Sequence, residues 1–200
     1  MRTVFGASFF VVAFAAIANA TPAIDVGTYT LLPNTSGQTI TLTVSGGDAV
    51  TGFNLRAQIN DGTGPQSEPI FQAVSFNGTT IWDSHPSTTT GGTLPTAPSD
   101  AQGSVVLNNI GDSVSASGNL VTLTISTAGI SSGSFPLLLK NTQIGVDSAF
   151  IGPQGAVIPA NITNGTLNVA AAPEPSVSAL FFVVVAVGLL RRRQTIGCAR

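Results

Sequence analysis

Hydrophobic and polar residues alternate with a period of two in several short stretches of this chain. In Gln38 to Val44, Ile40, Leu42 and Val44 face one way and Thr39, Thr41 and Thr43 the other. Phe53, Leu55, Ala57 and Ile59 alternate with Asn54, Arg56 and Gln58, and Val121, Leu123 and Ile125 with Thr122 and Thr124. A period of two belongs to a strand with one buried face. Further strands are expected at Asp25 to Leu32, Ile70 to Phe76, Ser104 to Leu107, Pro136 to Leu139 and Gly165 to Val169. Turn signals divide them at Ser45-Gly46-Gly47-Asp48, Asp61-Gly62, Asn77-Gly78, Ser117-Gly118-Asn119 and Asn164-Gly165. No stretch between the two ends sustains a 3.6-residue period. About eight or nine short antiparallel strands of this kind predict an all-β fold, a single antiparallel β-sandwich. Ser84 to Gly103, rich in Thr, Pro, Ser and Gly, is expected to be a long surface loop or flap.

The two ends break the pattern. Met1-Arg2 is followed by a run from Val4 to Ile17 that is apolar apart from Ser8, and then by Ala18-Asn19-Ala20. A positive start, an apolar stretch and small residues at a cut site make residues 1–20 a secretory signal peptide, with signal peptidase cutting after Ala20. At the other end, Pro173-Glu174-Pro175-Ser176 precedes an uncharged run from Val177 to Leu190, which Arg191, Arg192 and Arg193 close. The run has 14 residues. At about 1.5 Å per residue it spans roughly 20 Å, short of the roughly 30 Å hydrocarbon core. It therefore reads as a short or transient membrane span whose arginines stay cytoplasmic.

These three C-terminal parts, in this order, resemble the PEP-CTERM sorting domain of bacteria. The resemblance covers about Ala172 to Arg193, and the tail Gln194 to Arg200 extends beyond it. It implies an exosortase, a membrane protease-transpeptidase, as processing partner, with Pro173, Glu174, Pro175 and Arg191 to Arg193 as the sorting motif. It also implies transit through the inner membrane to the outer surface or extracellular matrix. The expected organisation is a signal peptide (1–20), a sandwich domain (21–169), a hinge (170–175), the sorting and membrane segment (173–193) and a cytoplasmic tail (194–200).

Removing both ends changes the charge picture. Thr21 to Val169 holds Asp25, Asp48, Asp61, Glu68, Asp83, Asp100, Asp112 and Asp147 against Arg56 and Lys140, so 2 minus 8 gives -6. Nucleic-acid affinity comes largely from Lys and Arg on phosphates, so that partner class is set aside. The single cysteine, Cys198, lies in the tail, which leaves the domain without disulfide or thiol chemistry.

Laid out in order, "VGTYTLLPNTSGQTITLTVSG", "VTGFNLRAQI", "GNLVTLTIST" and "NGTLNV" are similar to a cohesin-type jelly roll, a sandwich shared with some cellulose-binding modules. Asn60-Asp61-Gly62 stands where that family carries an acid-rich segment, so dockerin recognition is not carried over.

Candidate chemistry is sparse. Asp83, Ser84 and His85 are sequential neighbours and cannot converge as a triad does, and Pro86 makes the segment a turn. One histidine and no domain cysteine do not make a zinc set. Asp61, Asp112 and Asp147 are candidate calcium ligands without a spaced acidic loop, and read as turn residues. Trp82, beside the polar Ser84 to Gly103 stretch, is the best candidate platform for a sugar. Asn34, Asn77, Asn161 and Asn164 begin Asn-x-Ser/Thr sequons. The expected product is a non-enzymatic exported envelope or matrix protein, structural or adhesive, without cofactor or metal. Polysaccharide and envelope proteins are its expected partners, and the alternative is a carbohydrate-binding or cohesin-like protein-docking module.

Overall fold

The computed structural model describes residues 20–62, 67–85, 88–93, 97–109, 111–141 and 147–171. Residues 1–19 of the expected signal peptide, with Ala18, lie outside the described residues. So do the sorting motif and the apolar run before its arginines. No helix among the described residues is long and apolar enough to cross a membrane.

The strands follow in chain order as β1 (Ala23–Asp25), β2 (Thr28–Leu31), β3 (Gln38–Ser45), β4 (Ala49–Val50) and β5 (Gly52–Ile59). Then come β6 (Ile70–Ser75), β7 (Thr88–Thr93), β8 (Asp100–Leu107), β9 (Val114–Ser115) and β10 (Gly118–Ser126). The last are β11 (Gly133–Leu139), β12 (Ala149–Ile151), β13 (Val157–Ile158), β14 (Asn161–Thr163) and β15 (Gly165–Val169). One sheet has the order β14-β1-β3-β10-β6. The other runs β13-β12-β5-β11-β15-β2, with β8 on the far edge of β5 and β7 outside β8. β4 and β9 form a small separate ribbon.

The architecture is the expected β-sandwich, with three differences. Asp25 to Leu32 is two strands rather than one, because Gly27 at φ +79° turns the chain from the first sheet into the second. The pairing is not wholly antiparallel: β1 runs parallel to β14, and β2 parallel to β15. The first and last stretches of the domain thus travel side by side, each giving a half to each sheet, which closes the sandwich. The crossing is tight. A Cβ on Gly165 would lie 2.0 Å from the Gly27 carbonyl oxygen, so glycine alone fits there. Finally, Ser84 to Gly103 is not a continuous loop, since it contains β7 and the start of β8. Thr and Gly without apolar alternation hide a strand whose register is set by its neighbour rather than by burial.

The core lies where the alternation places it. Ile40, Leu42 and Val44 from β3 meet Phe53, Leu55, Ala57 and Ile59 from β5, all buried. The Phe53 ring packs against Phe150 at 4.7 Å and edge-on to Phe76 at 6.5 Å. Outside the first sheet, Thr41 faces Thr122 and Thr39 faces Thr124 across the β3–β10 ladder.

Tyr29, the one tyrosine, ties the sheets together: its hydroxyl donates to the Thr41 carbonyl oxygen. Burial first, and the nearby Asp25 charge second, raise its pKa above the ordinary 10.0. The folded state therefore holds the phenolic proton more tightly than the unfolded chain. Any stability linked to Tyr29 is full below the ordinary value and is lost as pH climbs through the raised one. An absorbance titration of the phenol should give a midpoint above 10.0 in the folded protein and at the ordinary value in denaturant. Coincident midpoints would refute this.

Candidate docking face

The outward face of the second sheet concentrates the domain's charge. β5 turns Asn54, Arg56 and Gln58 away from the core as it turns Phe53, Leu55 and Ala57 in, and of the three Gln58 is itself buried. Register sets their neighbours: Ser104 beside Asn54, Gln102 beside Arg56 and Asp100 beside Gln58 on β8. On the other side Leu138 of β11 flanks Gln58, and Lys140, whose N–H donates 3.0 Å to the Arg56 carbonyl, flanks Arg56. Of the two cations of Thr21 to Val169, Arg56 thus stands on β5 and Lys140 just past the end of the adjacent β11.

Arg56 lies between two aspartates. Its Nη2 is 3.2 Å from Asp100 Oδ2 and its Nη1 3.6 Å from Asp147 Oδ1. The side chains are 25%, 9% and 3% exposed for Arg56, Asp100 and Asp147, so both acids are withdrawn from water while the guanidinium reaches it. Ser148 fixes the strand beneath: its Oγ accepts from the Arg56 N–H at 2.9 Å and donates to the Arg56 carbonyl at 3.1 Å. Two buried polar atoms of this cluster, Arg56 Nε and Asp100 Oδ1, have no hydrogen-bond partner among the described residues. Buried polar groups are nearly always paired, so an open pair beside an exposed face is unusual. Next to it, Glu68 is buried and accepts from Ser99 Oγ at 2.6 Å and from Asn60 Nδ2, which pins the segment leading into β6. The face ends in Val106, an exposed apolar residue beside Gly52.

The other candidates lie elsewhere. Trp82 is a core residue, 1% exposed, with its indole N–H donating 3.0 Å to the Leu120 carbonyl. A sealed ring offers no surface to a sugar, so the platform expectation is corrected. The turn around it brought the residue inward, and adjacency to polar sequence was a poor guide. Asp83, Ser84 and His85 have separate partners. Asp83 accepts from the Gly78 and Thr80 N–H groups, Ser84 Oγ donates to the Ile81 carbonyl, and His85 Nδ1 lies 3.8 Å from Asp112. Among the calcium candidates, Asp112 accepts from Asn109 at 3.0 Å and Asp147 pairs with Arg56. No group of three or more metal-binding side chains occurs among the described residues. Ala20 lies beside Asp48, its N–H donating 3.0 Å to Oδ2. Asn34, Asn77, Asn161 and Asn164 are all exposed. The Asp100–Arg56–Asp147 cluster escaped sequence reasoning because its members are far apart in the chain. The only available signal was one arginine among polar residues on an alternating strand.

The fold built from these elements is that of cohesin modules. No protein-family model and no curated protein matches the sequence. Among solved structures, the third ScaC cohesin of Acetivibrio cellulolyticus is similar at a TM-score of 0.57 and 10% identity, over 75% of this chain and 99% of that one. The OlpC cohesin of Clostridium thermocellum, solved in complex with a dockerin, gives 0.53 and 13%, over 80% and 100%. A non-cellulosomal cohesin from the archaeon Archaeoglobus fulgidus gives 0.51 and 15%, over 76% and 93%. The chain is a cohesin-like β-sandwich, and at these identities the likeness is one of fold.

Proposed function

We propose that this protein is a non-enzymatic, exported docking module that serves adhesion or assembly at the bacterial envelope. The observation that carries the reading is the Arg56 cluster: on the outward side of the second sheet, a guanidinium held between two buried aspartates still reaches solvent. The exposed part of the guanidinium offers donors to a docked protein, and arginine is enriched at such anchor positions. The dockerin complexes among the structural neighbours support protein docking as the mode. With Trp82 buried, docking is favoured over sugar binding.

In this reading the signal peptide exports the chain and the C-terminal tag routes it through an exosortase to the surface or matrix. Mass spectrometry of the exported protein should show a C terminus ahead of Arg191, and an intact end through Arg193 would sink the processing step. Docking is tested by cross-linking the exported protein in intact cells. Ser104→Arg and Val106→Arg are solvent-facing changes that should reduce the cross-linked partner at least tenfold while leaving the melting curve in place. Equal cross-linking in both variants, or none in the parent, would overturn the reading.

A further inference from the structure

Leu32 is the most exposed large hydrophobic side chain among the described residues, at 64% against 44% for Val157 and 38% for Val106. A lone exposed leucine is ordinary on a protein surface. This one is held out by its backbone and stands where the chain leaves the domain. The Leu32 N–H donates 2.7 Å to Gln38 Oε1. Its carbonyl accepts from Gln38 Nε2 at 3.0 Å and from Thr127 Oγ1 at 2.6 Å. Thr127 is fully buried, and its N–H donates 2.8 Å to the Thr35 carbonyl. The Asn34 N–H donates 3.0 Å to the Ile130 carbonyl. These bonds strap the 32–35 loop to the turn after β10, so the leucine cannot fold back without breaking them.

The last strand ends at the same pole. Val169 pairs with Leu31, and the Ala170 N–H donates 3.0 Å to the Leu31 carbonyl. Ala170 and Ala171 are exposed, as is Ala128 in the turn after β10. None of the stretches that meet here, 31–38, 126–134 and 169–171, contains Asp, Glu, Lys or Arg. Five residues separate Ala171 from the apolar run that begins at Val177, a reach of about 20 Å at full extension. With Arg191 to Arg193 on the cytoplasmic side, a 14-residue span falls roughly 10 Å short of the hydrocarbon core. A short span is accommodated by thinning of the bilayer and by snorkelling of its flanks. Both bring the pole toward the lipid.

We propose, on the reading above that the C-terminal run crosses the membrane, that this pole is a membrane foot. While the run spans the bilayer, Leu32 enters the phospholipid headgroup layer beside it. The domain then touches lipid at two points, the span and the loop, which fixes its tilt. β5 begins beside Ile151, the partner of Val157, and ends beside Leu137, so Val157 marks the opposite end of the sandwich. Arg56, in mid-strand on β5, stays off the lipid and open to a docked protein.

The test uses the unprocessed full chain in nanodiscs of phosphatidylethanolamine and phosphatidylglycerol, with a nitroxide on either the lipid headgroup or the acyl chain. Cys198→Ser removes the one native thiol. A fluorophore is then placed singly through Ala128→Cys at the pole, Ala156→Cys at the opposite end or Val183→Cys in the run. The expected result is quenching at 183 by the acyl nitroxide. Quenching at 128 by the headgroup nitroxide should be at least twofold stronger than at 156. Leu32→Asp should halve the quenching at 128 and Leu32→Phe should keep it, both with the melting curve in place. Unquenched 183 means that the run does not span, and the foot falls with that reading. Quenched 183 with equal quenching at 128 and 156 leaves the span standing and overturns the foot alone. So does a folded Leu32→Asp chain that is quenched at 128 as the parent is.

Discussion

Trp82→Ala should lower the stability of the folded domain by about 3–5 kcal/mol, the usual cost of emptying a large aromatic site in a packed core. Two effects add. The indole leaves a cavity among residues that cannot collapse fully into it, since Trp82 is among the largest fully buried side chains. The Leu120 carbonyl also loses the N–H that meets it at 3.0 Å. Trp82→Phe separates the two, because it keeps most of the apolar volume and removes only the donor. Urea denaturation followed by circular dichroism should place the midpoints in the order parent, Phe variant, Ala variant. A Trp82→Ala protein as stable as the parent would show that the ring is not in the core, and the surface platform would return as a possibility to examine on glycans.

The second large effect is expected at Arg56. Arg56→Met keeps the aliphatic stem but leaves Asp147, 3% exposed, and Asp100, 9% exposed, without their shared cation. Removing one partner of a buried ion pair typically costs about 3–5 kcal/mol, because the remaining charge stays in a poorly solvated site. Arg56 itself reaches solvent, so about 3 kcal/mol, the lower end, is the expected loss. The informative variant is the triple change Arg56→Met, Asp100→Asn, Asp147→Asn. If uncompensated charge is the cause, it should recover most of the loss, and a triple variant as unstable as the single one would refute that cause. The same triple variant should fail to cross-link a partner, which separates the cluster's contribution to the fold from its contribution to docking.

Much of the sandwich was legible because alternation is a local signal. The pattern in Gln38 to Val44 needs no knowledge of what lies opposite: burial of Ile40, Leu42 and Val44 follows from period and polarity, and all three are buried. Gly165 to Val169 was legible to the residue. β7 was not, because Thr and Gly carry no burial pattern and its position depends on the β8 ladder. Ala149–Ile151 and Val157–Ile158 were not, because two or three residues are too few to show a period. The parallel closure of β1 on β14 and of β2 on β15 also could not be read. Nothing local encodes which distant strand a short edge will join.

By itself the sequence determined an all-β sandwich, its main buried faces, the acidic balance of the domain and the two address-like ends, each a property of local order or simple count. Only the tertiary structure decided that Trp82 faces inward, that Arg56 lies between Asp100 and Asp147, and that β7 pairs along β8. Those outcomes depend on contacts between residues far apart in the chain, whose pairing is selected by packing the two sheets together rather than by any short stretch of sequence.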